Sequence, residues 1–135
     1  MDRKEIEEYI MHAYGVAADF PWVKYPNAAV FRHDNNKKWF ALVMEVAKEK
    51  LGVQGEGSMS ILNVKCDPIM IGSLRREAGF YPAYHMSKAS WITAALDGSA
   101  DAEKLKLLID ISYGLTSVKV KGTAKKEQGV RRRSN

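Results

Sequence analysis

The chain has 135 residues and a mass of 15.2 kDa, the size of one ordinary domain built around one hydrophobic core. Its 46% apolar and 27% charged residues exclude a wholly disordered polymer, and no apolar run reaches the roughly 18–20 residues of a membrane helix. The net charge of +5 belongs to the C-terminus: from Lys119 onward seven bases face one acid (+6), whereas the first 118 residues carry fourteen bases and fifteen acids (−1).

Two further features point to a reducing compartment. The start, Met1-Asp2-Arg3-Lys4-Glu5, lacks the apolar core of a signal peptide. The single cysteine, Cys66, can form neither an internal disulfide nor a cysteine-based zinc site. The expectation is a cytoplasmic monomer with no membrane partner, folded over residues 1–118. Residues 119–135 form a basic tail (Lys119, Lys121, Lys125, Lys126, Arg131, Arg132, Arg133) with too little apolar surface to fold alone. Such a tail reads either as a disordered, solubilising extension or as a polyanion-binding arm, which adds affinity without reading sequence.

The predicted elements follow in chain order. Asp2 and Glu5 make a helix-start pair, and Ile6, Tyr9, Ile10 and Ala13 recur at helical spacing, predicting a helix over 2–14 stopped by Gly15. Between Pro21 and Pro26, Trp22–Tyr25 reads as a short edge strand. Residues 29–33 and 38–44 flank Asp34-Asn35-Asn36-Lys37, a hairpin signal. Strict alternation in the second arm places Trp39, Ala41 and Val43 on one face and Phe40, Leu42 and Met44 on the other, so both faces are apolar and both need cover. Leu51–Gly57 reads as a glycine-rich joint, and 59–66 as a strand with Ser60, Leu62, Val64 and Cys66 on the better core face. Asp67-Pro68 is a strong helix start, with Ile71, Leu74 and Ala78 inward and Gly79 ending the helix. A loop over 80–86 leads to a strand near 90–96. Ser99 or Asp101 then caps a last helix whose Leu105, Leu108, Ile109 and Ser112 share a face. The sum is α+β, an antiparallel sheet with helices packed on one face.

Chemistry is harder to read. His12, His33 and His85 have no metal-ligand spacing, and no phosphate loop or nucleophile motif occurs. Cys66 precedes a helix start, where a thiol pKa can fall, but its alternation puts it in the core as an inert thiol. The densest polar-aromatic segment is Tyr81–Trp91, equally suited to packing and to binding. Arg32, His33, Asn35, Asn36, Lys37 and Lys38 make a basic hairpin tip, either ordinary turn chemistry or a wing against a nucleic-acid backbone.

Taken in order, Val30-Phe31-Arg32, Lys38-Trp39-Phe40-Ala41-Leu42, Leu62-Asn63-Val64-Lys65-Cys66-Asp67-Pro68, Leu74-Arg75, Pro82-Ala83-Tyr84-His85-Met86-Ser87-Lys88, Trp91 and Leu96-Asp97-Gly98 resemble the MmcQ/YjbR-like family across roughly residues 2–118. Ala83 and Ser87 stand where that family usually has Gly and Asn, and loss of the glycine is expected to alter the loop's backbone angles. Gln54–Ser58 looks longer and richer in glycine than the family pattern. The resemblance implies a frataxin-like (CyaY-like) α+β fold, no established catalytic residues, and the DNA-binding role ascribed to members on structural grounds. Its matching polar and aromatic positions are Arg32, Lys38, Asn63, Lys65, Arg75, Tyr84, His85, Lys88 and Trp91. Frataxin-like folds also raise iron, held by an acidic ridge on the first helix and adjoining strand. Here Asp2, Glu5, Glu7 and Glu8 are mixed with Arg3 and Lys4, and only Asp19 and Asp34 follow before Glu45, so no metal or cofactor is expected.

The leading expectation is a non-enzymatic nucleic-acid-binding module that uses those nine residues, with the basic tail adding non-specific affinity. The alternative is a small-molecule or protein-interaction domain whose pocket, around His85 and Lys88 with Asn63 and Trp91, takes an anionic ligand. A concave pocket at His85 and Lys88 favours the second, and a flat basic strip favours the first. An enzyme would need a partner carboxylate or thiol within hydrogen-bond reach of His85.

Overall fold

Helix starts are realised as the local chemistry dictates. In the computed structural model, which describes residues 1–117, helix α1 spans Arg3–Tyr14. The Asp2 carboxylate accepts from the Glu5 amide at 2.9 Å, and the Glu5 carboxylate accepts from the Asp2 amide at 3.0 Å. Ile6 and Ile10 are buried; Ala13, predicted in the same stripe, is exposed, and Tyr14 makes the contact at that end by stacking on Tyr113 at 3.9 Å. Asp67 caps helix α2 (Pro68–Leu74), and Asp101, rather than Ser99, caps helix α3 (Ala102–Thr116). Helix α2 ends sooner than Gly79 because Arg76 and Glu77 turn back onto the Ser73 and Leu74 carbonyls, which leaves Ala78 exposed. The tail expected over 119–135, and its boundary at Val118, lie outside the described residues.

The strands are β1 (Ala29–Arg32), β2 (Trp39–Ala47), β3 (Ser58–Lys65), β4 (Phe80–Pro82) and β5 (Trp91–Ala95). They form one antiparallel sheet in the order β1-β2-β3-β5-β4. Strand β4 falls in the segment predicted as loop: its three residues carry no periodicity, and only pairing with β5 defines them. Residues 22–25 form an irregular segment with bends at 23–25 instead of the predicted edge strand. The outer edge of β1 is covered by Asp19, which exchanges backbone hydrogen bonds with Val30 at 2.8 and 2.9 Å.

A slip in the β1–β2 register corrects the predicted alternation. Ala41 pairs with Phe31, but Arg32 pairs with Trp39, so the ladder skips Phe40. Phe40 therefore joins Ala41 and Val43 in the helix-side core, while Trp39 turns to the other face with Leu42 and Met44. A bulge re-aims side chains in just this way. The helix-side core gathers Ile6, Ile10, Phe31, Leu62, Ile71, Leu74, Leu105, Leu108 and Ile109. Cys66 is buried there, and burial pushes its thiol pKa up, as expected of an inert core cysteine. The opposite face is covered by loops: Leu51, Val53, Tyr81 and Tyr84 pack against Val46, Met59, Ile61 and Ala95. No helix among the described residues is long and apolar enough to cross a membrane.

His33, predicted at the basic hairpin tip, is buried instead. Its Nε2 lies 3.1 Å from the Tyr113 carbonyl and 2.8 Å from the Thr116 hydroxyl, which itself donates to the Ser112 carbonyl at 2.8 Å. A carbonyl only accepts, so Nε2 carries a proton and the ring clamps the C-terminal end of α3. Asn36 adds a second clamp, donating to the Thr116 carbonyl at 2.8 Å. Burial lowers the His33 pKa below its ordinary 6.5, partly offset by the bond to Tyr113. Below that value the unfolded chain binds more protons than the folded one, so this stabilisation is full above the unfolded pKa and is lost as pH falls through the folded pKa. Urea unfolding at pH 7.5 and pH 5 is expected to show lower stability in acid, with a smaller fall in His33→Gln. Equal falls would remove His33 from that account.

Candidate functional site

The face opposite the helices carries Asn63, Lys65 and Trp91, with Tyr84 and His85 in the loop beside it, and a buried network organises it. Asn63, at the centre of β3, has no exposed surface. Its side-chain amide donates to the Tyr84 carbonyl at 3.1 Å, its oxygen accepts from the Thr93 hydroxyl, and Thr93 accepts from the Tyr84 amide at 2.9 Å. Asn63 is therefore unable to touch a ligand; it pins the 83–86 loop to β3 and β5. Ala83, the residue in place of the usual glycine, is buried and has no positive φ. The left-handed position is His85, at φ 60°, two residues later.

His85 is exposed, and its ring sits 4.1 Å from that of Tyr84. On one side it lines a cleft of about 350 Å³ with Lys50, Tyr81, Tyr84 and Lys88. On the other it lines an apolar hollow of about 240 Å³ formed by Trp22, Tyr25, Trp39, Leu42, Met44 and Met86. Trp22 meets Trp39 edge-on at 5.6 Å. The cleft is lined by two lysines, a histidine and two tyrosines from separate segments, together with Leu51, Pro82 and Ala83, a lining that has donors for an anion and no acid. The structure thus brings Tyr84, His85 and Lys88 together and adds Lys50 and Tyr81, which had not been assigned to a site. Nothing local marks Lys50: it leaves the 3₁₀ turn Lys48–Leu51 after β2, and only the sheet order places that turn beside the 83–88 loop. Trp22 and Tyr25 had one signal, aromatic residues between two prolines, which the strand reading misused.

The remaining predicted residues disperse. By register, Arg32 pairs with Trp39 and Lys65 with Trp91, but the β2–β3 ladder ends at Ala41 and Val64, so it does not join the two pairs. Alternation puts Lys65 and Trp91 on the same face as Asn63 and Thr93. Each pair sets a base beside an indole, but Arg32 is already paired with Asp19. Lys38 is exposed on the hairpin, and Arg75 is exposed at the end of α2 behind the sheet. A wider hollow of about 820 Å³ lies at the hairpin end among Tyr14, Asp19, Arg32, His33, Asp34 and Lys37. Its cations are answered locally, Arg32 by Asp19 and Lys37 by Asp34 at 3.7 Å, so it offers little net positive field. Among the described residues, no group of His, Cys, Asp and Glu side chains is placed to hold a metal.

A model of the family described as YjbR matches residues 11–115. YyaQ of Bacillus subtilis, an uncharacterised protein, is 41% identical over 116 residues, covering 86% of this chain and 98% of YyaQ. A Pseudomonas syringae protein of known crystal structure is 42% identical and superposes with a TM-score of 0.85, covering 87% of this chain and all of that one. A Deinococcus radiodurans protein with a DUF419 domain shares the fold at 24% identity and a TM-score of 0.63, over 84% of this chain and 77% of its own.

Proposed function

The chain belongs to the YjbR family, and on that premise we propose that it is a binding module for a small anionic ligand, held in the cleft of Lys50, Tyr81, Tyr84, His85 and Lys88. The observation that carries this reading is the backbone of His85. A side chain at positive φ costs on the order of 1 kcal/mol, and such positions persist where surrounding structure over-determines them, often at ligand clamps. Here the fully buried Asn63–Thr93 pair holds the loop in that conformation. An exposed ring contributes little to packing, so the cost is met for what the ring faces: the cationic cleft.

A nucleic-acid module, which the family resemblance implies, draws support from the Arg32–Trp39 and Lys65–Trp91 pairs. Against it stand the −1 charge of the first 118 residues and the pairing of Arg32 with Asp19. The test is an NMR titration of the full chain with inorganic pyrophosphate and, separately, a short single-stranded DNA. Pyrophosphate is expected to shift the amides of Lys50 and Tyr81–Lys88 with saturation. Lys88→Ala, and His85→Gly, which accepts the left-handed backbone without strain, are expected to weaken binding at least fivefold while remaining folded. Pyrophosphate shifts confined to the basic tail, or unchanged affinity in both variants, would overturn the reading. DNA shifts along Trp39, Lys65 and Trp91 with a silent cleft would replace it with the nucleic-acid module.

A further inference from the structure

We infer that the ligand is an aromatic anion: a flat ring system enters the hollow of Trp22, Tyr25, Trp39 and Met86, and its anionic group lies across His85 among Lys50 and Lys88. This rests on the proposed anion site and names the other half of its ligand. Three observations converge. The hollow and the cleft share one residue, His85, as their common wall. The hollow is lined by indole, phenol and thioether groups, which favour a planar, polarisable guest through stacking and sulfur–ring contacts. Its volume, about 240 Å³, suits a fused two-ring system, and with the cleft's 350 Å³ it reaches the range of small-ligand sites.

The sequence explains why the hollow stays open. Pro21 and Pro26 keep the 22–25 segment from joining the sheet, so Trp22 and Tyr25 stand over the face as a wall instead of pairing along an edge. The bulge at Phe40 then turns Trp39 onto that same face, where it forms the edge-on pair with Trp22. Without the bulge, alternation would send Trp39 into the helix-side core. Two local departures from regular structure thus build one aromatic wall beside a cationic cleft. A left-handed residue sets the boundary between them.

The experiment titrates the full chain with 1-naphthyl phosphate, inorganic phosphate and uncharged 1-naphthol, following tryptophan fluorescence and amide shifts. Naphthyl phosphate is expected to bind at least tenfold tighter than phosphate. Trp22→Ala, a loop substitution outside both core clusters, is expected to remove most of that advantage and leave phosphate affinity unchanged; Met86→Ala is a second variant that spares the sheet. Lys88→Ala is expected to weaken both anions. If phosphate binds in the cleft and the naphthyl group adds nothing, or if Trp22→Ala and Met86→Ala leave the tenfold difference intact, this inference falls and the anion site stands. If only naphthol binds, the anion site falls and takes the inference with it. If none of the three binds, both fall.

Discussion

Asn63→Ala is expected to destabilise the fold by about 3 kcal/mol, because each buried polar group left unpaired costs roughly 1–3 kcal/mol. The substitution orphans the Thr93 hydroxyl proton and the Tyr84 carbonyl together, and leaves a void at a position with no exposed surface. Against a domain stability of order 5–15 kcal/mol that is a large fraction. Thr93→Val is expected to cost a similar amount, since it orphans the Asn63 oxygen and the Tyr84 amide. The two losses should not add: residues in one hydrogen-bond network couple, and the double variant should be more stable than the sum predicts. Urea unfolding of the four proteins measures this. Single losses below about 1 kcal/mol, or strict additivity, would mean that the network does not hold the sheet and loop as a unit. A second readout ties stability to the site. At a urea-free temperature where the variant is still folded, Asn63→Ala should weaken pyrophosphate binding although Asn63 cannot reach the cleft, because the loop carrying His85 is no longer pinned.

Gly79→Ala is expected to cost at least as much. Gly79 sits at φ 88°, and an added Cβ would lie 2.6 Å from the Ala100 backbone nitrogen and 2.8 Å from its Cα. A left-handed alanine costs about 1–2 kcal/mol, and an overpacked contact adds typically 1–3 kcal/mol, at the upper end here because backbone cannot rotate away. The Gly79 carbonyl also accepts from the Ala95 amide at 2.8 Å, so any shift at Gly79 disturbs the entry to β4. Gly98→Ala supplies the control: its φ is 92°, but its added Cβ meets open space. The difference in unfolding free energy between the two variants isolates the close approach, and should be about 2 kcal/mol. Equal losses would show that φ alone matters and that the chain gives way at Ala100.

These two residues also mark how far local reasoning reached. Gly79 was read as the end of α2, which in fact stops at Leu74, and Asn63 as a polar residue in a strand, and neither sequence position announces its neighbour. Asn63 was a candidate binding residue because it matches a polar position of the family pattern; the loop that folds over it comes from residues 83–86, across a helix and a strand. Ala83 was expected to disturb the loop, but the positive φ belongs to His85, and which residue of a loop takes that conformation depends on the two ends that the sheet holds.

What the sequence by itself determined is whatever depends on groups a few residues apart. The starts of α1 and α2 follow from Asp2 with Glu5 and from Asp67-Pro68, and that of α3 was narrowed to Ser99 or Asp101, of which Asp101 bonds the amide three residues on. The hairpin follows from Asp34–Lys37, and the buried face of α3 from helical spacing. The family and the α+β class were legible for the same reason, since ordered motifs and periodicities are sequence-local. Tertiary structure alone decided the rest. Pairing with β5 made β4, and a skipped residue in the β1–β2 ladder sent Phe40 inward and Trp39 outward. Folding brought Lys50 beside His85 and Lys88, and closed the Asn63–Thr93–Tyr84 network. These contacts join groups from seven to nearly forty residues apart, beyond the spacing of a single helix turn or strand, and only the closed sheet sets the distance.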